Sequence, residues 1–186
     1  MLTHPIKALI LDRDGTLIEH VPYLYDPANV RLLPGVVAGL KAALDAGILL
    51  FIHSNQSGVG RGLFDLAAAE ACNMRMLELL GLGDSIFQRV CLAPEAPDAP
   101  EIYRKPSPRF ASEIMLDFGL LPGEVCYVGD RWSDLATAVA TGTQAVGVAT
   151  GLEDLRQELH EHGLLDQYPV CDSLLSAMSL ILQKSC

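Results

Sequence analysis

The chain has 186 residues, of which 50% are hydrophobic and 19% are charged. This length and composition suit one folded domain and exclude a disordered or linker protein. The formal net charge of −10 argues against a nucleic acid as partner, because an acidic surface repels phosphate backbones.

Short apolar runs alternate along the chain with amphipathic segments that begin at capping residues or end at glycines. Such runs are typical of buried strands, and such segments are typical of helices. In chain order they predict a strand over 6–11, a helix over 35–46, a strand over 48–53, a helix over 65–80, a strand over 86–92, a helix over 107–118, a strand over 125–128, a helix over 135–140, a strand over 145–148 and final helices over 153–162 and 173–184.

The alternation of uniformly apolar strands with helices predicts an α/β fold with a doubly wound, Rossmann-like parallel sheet covered on both faces. No repeat or linker divides the sequence, so residues 1–186 are expected to form a single domain. In such sheets, ligands bind beyond the carboxyl ends of the strands, where the strand order reverses. The residues that follow the strands are therefore the candidates for chemistry.

Acidic side chains follow the first and the fourth predicted strands. Asp12 and Asp14 lie in the segment DRDGT, and Asp130 and Asp134 lie in the segment GDRWSD. Each segment alone is explained by a polar turn or a helix cap. A cap accounts for one carboxylate of the second segment but does not require both.

A hydroxyl group and an ammonium group occupy two further strand ends. Ser54 begins the segment SNQSGVGRG, which suits phosphate binding by backbone N–H groups but is also an ordinary loop composition. Lys105 lies just before the helix predicted over 107–118, where a cation opposes the helix dipole; a solvated surface lysine is the alternative. Carboxylates, a hydroxyl and an ammonium together suit Mg²⁺-assisted phosphoryl transfer, in which Ser54 and Lys105 bind the phosphoryl oxygens.

In their order and spacing, these segments resemble the four motifs of the haloacid dehalogenase superfamily of phosphatases. The resemblance covers about residues 6–151, and LDRDGT, SNQSGVGRG, RKP and VGDR are similar to its histidinol-phosphatase-like branch. Thr16 and Ser54 are separated by 37 residues, and Ser54 and Lys105 by 50. These stretches are filled by predicted core elements, so we expect a core domain of that family's type without a separate cap domain.

The resemblance implies a role for each residue of the motifs. Asp12 would be the nucleophile that forms an aspartyl-phosphate, and Asp14 would protonate the leaving oxygen and then activate water. Mg²⁺ would be held by Asp12, by the backbone carbonyl of Asp14 and by Asp130, with Asp134 supporting. The catalytic set is therefore Asp12, Asp14, Ser54 and Lys105.

Substrate contacts are expected from the same motifs and from a rim over 19–33 and 92–103. The resemblance implies that Arg104 contacts the sugar or its second phosphate and that Arg131 lies beside the metal. His20 and Tyr23 on the first rim are further candidates, although a loop packed on itself explains them equally well. The remaining candidates, which end or follow the second strand, are Ser54, Asn55, Gln56 and Ser57.

The substrate is expected to be a small phosphorylated metabolite. Within the branch, the resemblance is strongest to phosphatases that act on D-glycero-D-manno-heptose 1,7-bisphosphate, so this compound is the expected substrate. Histidinol phosphate or a different sugar phosphate is the alternative, and a polynucleotide 3′-phosphate is less compatible with the negative net charge. A signalling receiver is disfavoured because the second strand ends in Ser54 with no aspartate after it. A non-catalytic binding module is disfavoured because Asp12 and Lys105 are both present.

Zinc is not expected as a cofactor. Members of the branch usually carry a zinc loop of CxH followed by CxC before RKP. Here Cys91 keeps the first position, but Ala93, Glu101 and Tyr103 replace the other three ligands. A structural zinc site needs four ligands, so we expect the prolines of the loop over 94–100 to stiffen it without metal.

The five cysteines are scattered, with no CxxC pair, which predicts free thiols in a reducing compartment. No signal-peptide pattern precedes the first strand, so a cytoplasmic protein is expected. The longest uncharged run, over 135–152, is broken at its centre by TGTQ and is not expected to span a membrane. We expect a monomer with no membrane partner.

Overall fold

The computed structural model describes residues 4–183, in which six strands alternate with seven helices. The strands are β1 (Ala8–Leu11), β2 (Leu49–Asn55), β3 (Phe87–Ala93), β4 (Val125–Gly129), β5 (Gln144–Val148) and β6 (Val170–Cys171). The helices are α1 (Val36–Asp45), α2 (Ser57–Gly60), α3 (Leu66–Leu80), α4 (Arg109–Phe118), α5 (Trp132–Thr141), α6 (Leu155–Glu161) and α7 (Leu174–Leu182). Two 3-10 turns cover Pro27–Asn29 and Pro122–Glu124.

One parallel sheet contains all six strands, in the order β3-β2-β1-β4-β5-β6. The predicted α/β fold with a doubly wound parallel sheet is therefore confirmed. The chain winds from β1 to β3 in one direction and then returns to place β4 beside β1, so the strand order reverses between β1 and β4. This is the position at which parallel sheets bind ligands.

The core lies on both faces of the sheet because successive strand residues point to opposite sides. In β1, Leu9 and Leu11 pack in a layer with α1, α3 and α7, whereas Ala8 and Ile10 pack in a layer with α4, α5 and α6. All four residues are completely buried. This explains why the strand reads as an unbroken apolar run.

The five predicted strands all form, and most helices lie where the pattern placed them. Gly81, Gly119 and Gly142 take the left-handed conformation that ends α3, α4 and α5, and Asp65 caps α3 by accepting a hydrogen bond from the backbone N–H of Ala68. Between β1 and β3 the chain forms only strand β2, three helices (α1, α2 and α3) and the first 3-10 turn, so no second domain is inserted between these strands. This matches the expectation of a core domain without a separate cap.

The predictions were wrong at the starts of two helices. Pro108, and not Ser107, holds the cap position of α4. Helix α5 begins at Trp132, three residues before the predicted start, because its first turn is polar and closes on Asp134. The predicted end of the last helix at Lys184, like the thiol of Cys186, lies outside the described residues.

Two short elements were not predicted. Strand β6 has two residues and follows Pro169, so it lacks the apolar run that marks the other strands. Helix α2 has four residues, two of them glycines, and reads as a loop. No helix within residues 4–183 combines the length and the apolar character that crossing a membrane requires.

His53 lies inside the sheet near the end of β2, with both ring nitrogens satisfied. Its Nδ1 is 3.0 Å from the hydroxyl of Tyr127, and its Nε2 is 2.7 Å from the carbonyl oxygen of Tyr103. Burial, and then the charge of Lys105, lowers the pKa of His53 to about 3. His53 is therefore a neutral core histidine.

Stability is expected to fall below pH 6.5 through His53. Since the unfolded histidine takes a proton near pH 6.5 and the folded one only near pH 3, this stability is present above pH 6.5 and is lost as the pH falls. One such group contributes a slope of about 1.4 kcal/mol per pH unit. In chemical denaturation at several pH values, His53→Gln should show a shallower slope than the wild type and than the exposed-site control His160→Gln. Equal slopes for all three proteins would contradict a neutral His53.

Candidate active site

A cavity of about 390 Å³ opens at the carboxyl ends of the strands, where the strand order reverses. It is lined by all but one of the residues predicted for the site. Those residues are Asp12, Asp14, His20, Tyr23, Ser54, Asn55, Gln56, Ser57, Arg104, Lys105, Arg131 and Asp134. The exception, Asp130, is completely buried beside Asp12 and Asp134.

Three buried carboxylates form one cluster beside the cavity. Asp12, Asp130 and Asp134 each offer an oxygen, and these oxygens lie within 4.8 Å of one another. Asp12 is held in place because its backbone N–H donates to the carbonyl oxygen of Val128 at 2.9 Å, which continues the pairing of β1 with β4. Parallel pairing thus brings together side chains that are about 120 residues apart in the sequence.

Of the three carboxyl groups, that of Asp130 has the least favourable environment for a negative charge. It is completely buried, and neither of its carboxyl oxygens has a hydrogen-bond partner among the described residues. Burial, followed by the charges of Asp12 and Asp134, raises the pKa of Asp130 to about 9. A buried carboxylate without a partner is unfavourable, and a divalent cation with oxygen ligands relieves it. The donor set therefore fits Mg²⁺.

Asp134 is held by two donors at the start of α5. One carboxylate oxygen accepts from Lys105 Nζ at 2.5 Å, and the other accepts from the backbone N–H of Arg131 at 3.1 Å. Burial raises the pKa of Asp134 to about 6, although Lys105 opposes the shift. With both oxygens engaged, Asp134 suits a supporting role near the cation rather than a direct one.

Glycines make room for the buried carboxylates. A Cβ atom on Gly15 or Gly151 would overlap the carboxyl group of Asp130, and one on Gly129 would overlap that of Asp134. Gly15 also has a φ of +85°, in the left-handed region that favours glycine. Gly151 was not predicted as a site residue, because nothing near it in the sequence shows that it packs against Asp130.

Lys105 links the carboxylate cluster to the second strand. Its Nζ donates to Asp12 at 2.8 Å as well as to Asp134, and it is only 3% exposed. Burial lowers the pKa of Lys105, but the carboxylates of Asp12 and Asp134 outweigh this and raise the pKa above its ordinary value. The lysine is therefore a permanent cation beside the nucleophile candidate.

The side chain of Asn55 holds the backbone of Lys105 from both sides. Its Oδ1 accepts from the backbone N–H of Lys105 at 2.8 Å, and its Nδ2 donates to the carbonyl oxygen of Lys105 at 3.2 Å. The sequence predicted Asn55 as a substrate contact. Asn55 lines the cavity, and in this structure its amide group holds the backbone of Lys105.

Asp14 is surrounded by hydrogen-bond donors. Ser54 Oγ donates to its Oδ2 at 3.2 Å, and Gln56 Nε2 donates to the same oxygen at 3.0 Å and to Ser54 Oγ at 2.8 Å. The guanidinium group of Arg13, which was not predicted as a site residue, contacts the same carboxylate. Gln56 thus also faces a catalytic candidate, and not open solvent, in this structure.

Two arginines differ in how they are held at the mouth of the cavity. Arg131 is paired with Glu158, with Nη2 at 2.6 Å from one carboxylate oxygen and Nε at 3.1 Å from the other. The half-buried Arg104 side chain has no hydrogen bond or ion pair with any described residue. Arg104 is therefore free to bind an anionic group that enters the cavity.

The rim over 19–33 contributes two polar side chains. His20 is half-buried, and within residues 4–183 its Nδ1 has no hydrogen-bond partner. Tyr23 is 46% exposed, has a φ of +53° and lies 5.9 Å from the guanidinium group of Arg61. Both line the cavity, and both are available to a ligand.

Hydrogen bonds hold the loop that precedes Lys105. The backbone N–H of Tyr103 donates to Glu95 Oε1 at 2.6 Å, and the Tyr103 hydroxyl donates to Glu113 at 3.0 Å. The Tyr103 carbonyl oxygen is the partner of His53 described above. Tyr103, at a position where the resembled branch carries a zinc-ligating cysteine, is therefore fixed by three polar contacts.

The chain is similar in sequence to known phosphatases. A family model described as HAD-hydrolase-like matches residues 102–177. The D-glycero-beta-D-manno-heptose-1,7-bisphosphate 7-phosphatase of Pseudomonas aeruginosa is 31% identical over 94% of this chain and 97% of its own length. The phosphatase of the same name from Bordetella bronchiseptica is 29% identical over 97% of this chain and its whole length.

A solved structure resembles the whole chain as well. The crystal structure of the D,D-heptose 1,7-bisphosphate phosphatase from B. bronchiseptica, in complex with magnesium and phosphate, superimposes with a TM-score of 0.85. The match has 30% sequence identity and covers 96% of this chain and 99% of that one. The similarity therefore extends over both the sheet and the site.

Proposed function

This chain belongs to the family of HAD-like hydrolases and is a phosphatase that uses Mg²⁺, and on that premise we propose that its substrate is D-glycero-D-manno-heptose 1,7-bisphosphate. The observation that carries this substrate is the full-length similarity to relatives of that name. The free guanidinium group of Arg104 at the mouth of the cavity supports it, since a bisphosphate brings a second anion there. The proposal takes residues 1–186 as one phosphatase domain.

The first half of the reaction uses Asp12 and Asp14. A carboxylate oxygen of Asp12 attacks the phosphorus atom, the ester P–O bond breaks, and the leaving sugar oxygen takes a proton from Asp14. Lys105 and Ser54 bind the phosphoryl oxygens, on which charge is spread in the transition state. Lys105 Nζ also donates a hydrogen bond to the Asp12 carboxylate, at 2.8 Å.

The second half releases phosphate from Asp12. Asp14 takes a proton from a water molecule, the water oxygen attacks the phosphorus atom, and the bond between phosphorus and Asp12 breaks. Asp12, the backbone carbonyl of Asp14 and Asp130 would hold Mg²⁺, with Asp134 supporting, and the bound ion would neutralise charge on the phosphoryl group. When the bond between phosphorus and Asp12 breaks, Asp12 becomes a carboxylate again and one phosphate ion leaves.

In this proposal, some residues contact the substrate directly and others act through the side chains that they hold. Arg104 and Arg131 bind the distal phosphate or the sugar, and His20, Tyr23 and Ser57 contact the sugar at the rim. Asn55 and Gln56 act on the substrate through the residues they hold. These assignments extend the geometry of the cavity and remain predictions.

We also propose that the protein works as a cytoplasmic monomer without a nucleic-acid or membrane partner. The net charge of −10 supports the absence of nucleic acid. The four described cysteines are all free, which suits a reducing compartment. Size-exclusion chromatography with light scattering tests the monomer.

A phosphate-release screen with Mg²⁺ tests the substrate. The heptose bisphosphate is expected to give the highest kcat/KM, above histidinol phosphate, other sugar phosphates and a 3′-phosphorylated oligonucleotide. A higher kcat/KM for histidinol phosphate or for a sugar monophosphate would overturn the proposed substrate. The phosphatase reaction itself would stand in that case.

Activity is expected to require Mg²⁺ and to be independent of zinc. EDTA should stop turnover, and added Mg²⁺ should restore it, because the buried cluster around Asp130 needs a cation. Metal analysis of the purified protein should find no stoichiometric zinc. One tightly bound zinc per chain would contradict our interpretation of Ala93, Glu101 and Tyr103.

A further inference from the structure

Arg13 is a completely buried arginine that the reaction described above does not use. It is the largest of the fully buried side chains and lies between Asp12 and Asp14. Its Nε and Nη2 donate to the two oxygens of Asp14 at 3.0 and 3.2 Å, and its Nη1 donates to the carbonyl oxygen of Ala69 in α3 at 3.1 Å. A buried guanidinium group needs such a charge partner, since losing it leaves an uncompensated charge.

The backbone around Arg13 is fixed independently of the side chain. Its carbonyl oxygen accepts hydrogen bonds from the N–H groups of Thr16, Leu17 and Ile18, which closes the turn after β1. The path of the chain at Asp14 is therefore set by the turn. What the turn does not set is the direction of the Asp14 carboxylate.

The donors around Asp14 differ in charge. Ser54 and Gln56 donate to one oxygen only, and both are neutral. Among the described residues, Arg13 is the only cation that bonds Asp14, and it engages both oxygens. A forked pair of this kind fixes the plane of a carboxylate as well as its position. Through Ala69 the pair is anchored to α3.

We propose that Arg13 is the positioning residue of Asp14, holding its carboxylate in the orientation that activates water in the second half of the reaction. This rests on the proposed role of Asp14 as acid and base. Because the forked pair fixes the plane of the carboxylate, its loss would turn away the oxygen that takes a proton from water. With a leaving group that needs no proton, hydrolysis of the aspartyl-phosphate therefore depends on Arg13 more than its formation does.

The test compares Arg13→Gln with the wild type on p-nitrophenyl phosphate at saturating Mg²⁺. This leaving group needs no proton, so formation of the aspartyl-phosphate does not require Asp14. The variant should release a burst of about one equivalent of p-nitrophenolate per site, as expected when an intermediate accumulates. Its steady-state rate should then be about 10²-fold below that of the wild type, the loss expected for a misplaced catalytic group.

Three further variants make the test specific. Arg13→Lys keeps the buried charge but cannot form the fork, so it should recover only part of the steady-state rate. Arg75→Gln removes a surface arginine from α3 and should behave as the wild type. In an Asp14→Asn background, Arg13→Gln should cause little further loss, because residues that act as a unit are non-additive.

The proposal would be overturned by a steady-state rate for Arg13→Gln within threefold (about RT in free energy) of the wild type. It would also be overturned if Arg13→Gln reduced the steady-state rate by the same factor in the wild-type and Asp14→Asn backgrounds. A slowed burst would show that the substitution disturbs Asp12 or Lys105, and would likewise count against a role through Asp14. If Arg13→Gln does not fold by circular dichroism, Arg13→Lys gives the same comparison. Failure of the proposed substrate is separable, since wild-type turnover of p-nitrophenyl phosphate does not depend on the heptose.

Discussion

Asp12→Asn is expected to abolish turnover, with a fall in kcat on the order of 10⁴-fold or more, going by other nucleophile deletions. Asparagine is nearly isosteric with aspartate, but its amide group cannot attack phosphorus. Its carbonyl oxygen can still accept the hydrogen bond that Lys105 Nζ now donates to Asp12. The measurement is the steady-state rate of phosphate release with saturating Mg²⁺.

The fold of Asp12→Asn should be retained because the substitution relieves repulsion in a buried cluster. The charge of Asp12 contributes to the raised pKa of Asp130, so removing it lowers the electrostatic penalty of the metal-free site. The thermal midpoint without Mg²⁺ should equal or exceed that of the wild type. Asp45→Asn, at an exposed position of α1, is the matched control. If Asp12→Asn keeps even about a tenth of kcat, Asp12 is not the nucleophile.

The position of the site follows from the sequence because parallel strands all end at the same edge of their sheet. Asp12, Ser54 and Asp130 each come directly at the end of an apolar run, and the reversal of strand order between β1 and β4 brings those ends together. No knowledge of side-chain direction is needed for this step. The residue types then indicate the chemistry.

Side-chain direction is what the sequence did not reveal. Asn55 and Gln56 are adjacent polar residues at the end of β2, yet the side chain of Asn55 turns to the backbone of Lys105 and that of Gln56 turns to Asp14. These directions depend on the turn that leads into α2, a helix too short to be detected from periodicity. The sequence therefore identifies them as site residues without showing which group each one holds.

Arg13 was missed for a related reason. A residue between two site aspartates in a turn is ordinarily expected to face solvent, and arginine is rarely fully buried. Its burial depends on α3, which supplies the Ala69 carbonyl oxygen from 56 residues further along the chain. No local pattern records that contact.

Lys105→Ala is expected to slow the hydrolysis of every phosphate ester by a similar factor, on the order of 10²–10³ in kcat. This is the loss found when a donor that stabilises a transition-state oxyanion is removed. In the proposed mechanism, the ammonium group contacts the phosphoryl group that is transferred, which all substrates share. The substitution also removes the cation between Asp12 and Asp134, so the variant should be compared at saturating Mg²⁺ after its folding has been checked. Lys41→Ala, on the surface of α1, is the control.

Arg104→Ala separates substrate choice from phosphoryl transfer. In the proposed binding mode, Arg104 contacts only the distal part of the substrate. Its loss should therefore raise KM for the heptose bisphosphate by about 10-fold or more, the effect of one charge-assisted hydrogen bond, with kcat nearly unchanged. For heptose 7-phosphate, which carries no second phosphate, KM should change little. Measuring kcat and KM of Arg104→Ala and Lys105→Ala on the heptose bisphosphate and on heptose 7-phosphate tests whether the two residues have these different roles. An equal rise in KM on the two substrates would mean that Arg104 does not contact a second phosphate, and would favour a simpler phosphomonoester as the substrate.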